Sequence, residues 1–87
     1  MRARRLRSAS RIDALVAEWE SQYELTKAES AVFALAAHGT ARPDLARERG
    51  VTDHTINSQV ERVLEKTGHS SLDTAVNCLL RMIVEDG

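Results

Sequence analysis

Little in this 87-residue chain can staple it covalently or interrupt it locally: it has one cysteine, one proline and four glycines. A lone Cys78 excludes an internal disulfide, so the core must stand on burial alone. Aromatic residues make up only 3% of the chain, as Trp19, Tyr23 and Phe33, and no apolar run is long enough to span a bilayer. No segment alternates apolar and polar residues with period two, which argues against a sheet. An excess of one charge is missing as well. Twelve Lys and Arg stand against thirteen Asp and Glu, a formal net charge of -1, so no global field draws the molecule to nucleic acid or to an anionic membrane. With no secretory leader in view, these absences lead to the expectation of a cytoplasmic chain without a membrane partner.

What remains is 43% hydrophobic, mostly aliphatic, and 29% charged, the balance of a single all-α domain, a small helical bundle. Its charge is unevenly placed. Arg2, Arg4, Arg5, Arg7 and Arg11 come with no acid among residues 1–11, leaving -6 for everything after them. Residues 1–9 therefore read as a basic N-terminal arm, either solvated and disordered, as short like-charge runs usually are, or placed to neutralise phosphates.

Start and stop signals divide the rest into five helices. Ser10 and Asp13 have the spacing of a capping box, and Ile12, Leu15, Val16, Trp19 and Tyr23 fall on one stripe, which gives an extra N-terminal helix over 11–23 within a segment 10–24. That stripe serves either as a flap over the core or as a docking helix. Thr26 with Glu29 forms a stronger capping box, and Gly39 stands where a helix must stop, giving helix 2 over 27–38. Pro43 suits a first turn and Gly50 ends a short helix 3, 42–49. Thr52 caps helix 4, 53–67, closed by Gly68. Ser70 with Asp73 opens helix 5, 71–85, whose stripe is Leu72, Ala75, Val76, Leu79, Leu80 and Ile83.

Helices 3 and 4 about Gly50-Val51-Thr52 have the pattern of a helix-turn-helix, with Val51 as a wedge between them. Setting Ile56, Val60 and Val63 inward turns Asn57, Ser58, Glu61, Arg62 and Glu65 outward, with Thr55, Gln59 and Lys66 along a flank. Any solvated amphipathic helix shows such a face, so spacing leaves both an ordinary surface and a reading surface open.

Leu25-Thr26-Lys27-Ala28-Glu29, Val32, Leu35, Gly39, Leu45-Ala46, Thr52, Thr55-Ile56, Lys66, Gly68 and Ala75-Val76 keep the relative spacing of a known pattern. Over residues 25–84 the chain resembles the LuxR-type helix-turn-helix, the effector domain of many bacterial transcription regulators, response regulators among them. The resemblance implies that 25–87 is a double-stranded DNA-binding domain, with Asn57, Ser58 and Glu61 facing base edges and Thr52, Thr55, Gln59 and Lys66 holding phosphates; Arg62 adds a cation to the same face. An Asn amide can pair with both N6 and N7 of adenine, whereas hydroxyls and ammonium groups suit phosphate oxygens. The chain departs from the family pattern at Arg49, Asn57, Gln59, Thr67 and Leu72, and residues 25–87 carry a net charge of -2. The alternative is a protein-interaction module on the same scaffold that has lost affinity for DNA.

Val76, Leu79, Leu80 and Ile83 are the expected homodimer interface, both because a chain this small has few places to hide so broad a stripe and because the resemblance implies dimerisation there. His38, His54, His69 and Cys78 are spaced too widely for a compact metal site. No nucleophile elbow or phosphate-binding glycine loop is present, so neither an enzyme, a cofactor nor a small-molecule substrate is expected.

Overall fold

The computed structural model describes the backbone of residues 2–86 and the side chains of residues 11–83. Five α-helices follow one another, with no strand among the described residues: α1 (Arg2–Gln22), α2 (Lys27–Ala37), α3 (Leu45–Arg49), α4 (Asp53–Thr67) and α5 (Leu72–Asp86). A single 3-10 turn, Arg42–Asp44, leads into α3. The all-α bundle expected from composition is thus present.

Local chemistry accounts for most boundaries. At α2 the Thr26 hydroxyl accepts from the Glu29 backbone N–H (3.1 Å) while the Thr26 N–H donates back to Glu29 Oε1 (2.9 Å), satisfying two donors that helix geometry leaves open. Thr52 accepts from the Thr55 N–H at 3.2 Å and caps α4 in the same manner. The turn after α3 places Gly50 at φ 68°. A Cβ there would meet no atom within 4 Å, so it is the left-handed backbone, not space, that calls for glycine.

Two expected starts are displaced. Ser10 lies inside α1, because the helix already runs from Arg2. Arg, Ala and Leu are strong helix formers, no Gly or Pro intervenes, and extending an existing helix avoids a second nucleation. The backbone of residues 2–9 is helical, while the side chains of residues 1–10, and with them the choice between a solvated arm and one that neutralises phosphates, lie outside the described residues. At α5 the cap is Ser71, not Ser70: its Oγ accepts from the Thr74 N–H at 3.1 Å and lies 2.8 Å from Thr74 Oγ1.

Helix α2 is the hub, packing against α1, α3, α4 and α5. Phe33, Val32, Leu45, Val63, Ala75 and Leu79 are completely enclosed. Helix α1 lies against both α2 and α5, which answers the question its stripe left open: it covers the core of its own chain. Trp19, only 3% exposed, stacks with Phe33 at 5.0 Å between ring centroids and with His69 at 5.8 Å, and meets Tyr23 edge-on at 5.5 Å. Such pairs add to the area buried by each ring. A hydrogen bond between His38 Nε2 and Asp13 Oδ1 (2.7 Å) ties the end of α2 to α1.

Candidate nucleic-acid interface

Val51, half-buried, packs against the core between α3 and α4, and Ile56, Val60 and Val63 anchor α4 beneath it. With those positions inward, helical geometry leaves Asp53, His54, Asn57, Ser58, Glu61, Arg62 and Glu65 exposed along α4. The structure therefore brings Asn57, Ser58, Glu61 and Arg62 together on one open face, as the spacing suggested. Thr52 is exposed at the head of the same helix, and its hydroxyl donates to Thr55 Oγ1 at 3.0 Å. Thr55 is half-buried.

Lys66 belongs elsewhere. Its ammonium donates to Glu29 Oε1 at 2.7 Å and to the Glu24 carbonyl at 3.0 Å, so it joins the C-terminal end of α4 to the start of α2 and the turn after α1. This corrects its expected place among the phosphate contacts. At about 100° per residue, the nine steps from Asn57 carry Lys66 about half a turn round the helix, away from the exposed face. That signal was present in the spacing. Its partner, a carboxylate 37 residues earlier, was not.

Glu29 is only 4% exposed, and the same Oε1 receives both the Lys66 ammonium and the Thr26 N–H. Burial pushes its carboxyl pKa up, but the hydrogen bonds from Lys66 and Thr26, with the charges of Lys66 and Arg62, outweigh it and hold the pKa below the ordinary value of 4.5. Glu24, the one non-glycine residue with a positive φ (55°) among those described, is kept in that conformation from two sides: the Leu25 N–H reaches back to the Glu20 carbonyl (3.0 Å) and Lys66 holds Glu24's own carbonyl.

Gln59 is half-buried, and its Oε1 is enclosed without a hydrogen-bond partner. Of the expected dimer residues, Leu79 is fully enclosed by its own chain, and Val76 and Leu80 pack partly against the same core. Leu79 is accordingly a core residue, because α1 and α2 both cover α5. Ile83 is half-buried and Met82 is 39% exposed.

Arg42 is the residue that sequence reasoning missed. From the 3-10 turn it reaches across to α4, where its Nη2 donates to Asn57 Oδ1 at 2.9 Å. Both side chains are exposed, so a guanidinium sits beside the amide at the centre of the open face. Arg47, also exposed, is paired to Asp44 at 2.8 Å. Among the described residues no group of His, Cys, Asp and Glu is arranged to hold a metal ion, and no helix is long and apolar enough to cross a membrane. Compared with protein-family models, curated proteins and solved structures, the chain finds no match.

Proposed function

We propose that the protein binds double-stranded DNA as a LuxR-type transcription regulator in the cytoplasm, with the exposed face of α4 entering the major groove. The observation that carries this reading is the Arg42–Asn57 pair, which puts a cation and an amide together on an exposed helix face otherwise rich in hydrogen-bonding groups. In this reading the exposed Thr52 and Arg62 meet phosphates, while Asn57, Ser58 and Glu61 meet base edges. The short α3, the left-handed Gly50 and the wedge of Val51 lead into α4, whose apolar side packs on the core and leaves the opposite face open. A homodimer, joined by the outward part of α5 around Leu80, Met82 and Ile83, would present two copies of α4 to one side of a duplex.

Asp53, Glu61 and Glu65 lie exposed on the same helix, and Lys66 is engaged internally; these favour the second reading, a protein-interaction module. Anisotropy titration against a random-sequence duplex, repeated as salt rises, separates the two. DNA binding predicts submicromolar affinity at low salt that falls steeply, by close to one unit of log-log slope per phosphate neutralised. A flat titration at low salt assigns the face to a protein partner instead.

A further inference from the structure

We propose that Arg42 determines base specificity: by holding the carbonyl of Asn57 it converts an ambivalent amide into an all-donor reader of guanine. The inference rests on the DNA-binding reading above and adds the base that α4 selects. Alone, an asparagine side chain offers one acceptor and one donor group, which match the amino group and N7 of adenine in the major groove. Here Nη2 of Arg42 takes one of the two acceptor sites of Asn57 Oδ1 at 2.9 Å, and the positive charge beside the second disfavours the approach of another donor there. Among the described residues the amide NH2 has no hydrogen-bond partner and remains a donor, alongside the remaining N–H groups of the guanidinium. Guanine presents two acceptors, N7 and O6, to that array, whereas the adenine amino group would confront donors and a like partial charge.

Two features hold Arg42 to this task. Its carbonyl accepts from the backbone N–H of Leu45, a completely enclosed residue, so the base of the side chain is fixed to the core. Pro43 follows directly and restricts the turn further. No ion pair among the described residues includes Arg42, so no carboxylate there neutralises the guanidinium within 4.0 Å.

The test is selection from a pool of randomised duplexes, sequenced after binding to the wild-type chain, to Arg42→Ala and to Asn57→Ala, each first shown to be folded by circular dichroism. The wild type is expected to enrich guanine at one position. Asn57→Ala should level that position, and Arg42→Ala should move it toward adenine by roughly ten-fold in the guanine-to-adenine ratio, leaving other positions unchanged. If Arg42→Ala weakens binding to all duplexes alike and keeps the guanine, Arg42 is only a phosphate contact and the inference fails while DNA binding stands. Enrichment of adenine by the wild type, or binding with no base preference, overturns it equally. If the wild-type chain retains no duplex at all, the DNA-binding reading and this inference fall together.

Discussion

The two ends of α4 each meet a cation, and the contrast between them separates a contact that holds this molecule together from one that lies open at its surface. At the C-terminal end Lys66 is drawn inward onto a buried carboxylate and a backbone carbonyl, and the chain then passes through Gly68 to His69, stacked on Trp19. Near the N-terminal end Arg42 comes from outside the helix and rests on an exposed amide. Both are hydrogen bonds of ordinary length. One ends in a group that burial would penalise if unpaired, the other in a group that water would serve as well. The same kind of residue is therefore tied into the structure at one end and left exposed at the other.

The largest effect should come from the inner end. Trp19→Ala removes the ring that joins α1 to Phe33 and His69 and should cost about 3–5 kcal/mol, measured by urea denaturation. A loss below about 1 kcal/mol would mean that α1 is a detachable flap. Next, Lys66→Met should destabilise by about 2–3 kcal/mol, since Glu29 keeps a charge and loses its counterion. Arg42→Ala should stay within about 0.5 kcal/mol of wild type, as substitutions at exposed surface positions do. Equal losses in the two variants would erase the distinction between the ends.

The smallest effect is the acid response of the inner network. The folded-state pKa of Glu29 lies below its ordinary value of 4.5, so its contribution is complete above that value and is lost as pH falls through the lower folded one. Stability measured at pH 7, 5, 4 and 3 should fall less steeply for Glu29→Gln than for the wild type over the acid part of that range. Parallel curves would show that the Lys66 contact carries no net linkage to protons.

Much of the fold was legible because its signals are local. The Thr26–Glu29 capping box, the stop at Gly50 and the cap at Thr52 each involve groups within three residues or one backbone angle, and each appears where the sequence placed it. Ser10 shows the limit of such signals: a residue able to cap does not do so when good helix formers precede it, because continuing a helix costs less than starting one. Periodicity likewise selected the exposed residues of α4 but misjudged Leu79, since a stripe identifies an apolar face without saying which element covers it. Only the packing of α1 against α5 shows that the cover belongs to the same chain.

By itself, then, the sequence determined the helical class, most helix boundaries and the side of α4 that faces outward, all consequences of backbone hydrogen bonding and a period of about 3.6 residues. Tertiary structure decided the use of the charges and rings. Lys66 meets the carbonyl of a residue 42 positions away, and Arg42 reaches an amide 15 positions on. Trp19 finds His69 only because α1 lies across the bundle. The physical reason is that a cap or a turn draws on neighbours the chain supplies automatically. The partner of a long polar side chain exists only once separate helices have been brought side by side, and their arrangement is set by the apolar core rather than by the charges themselves.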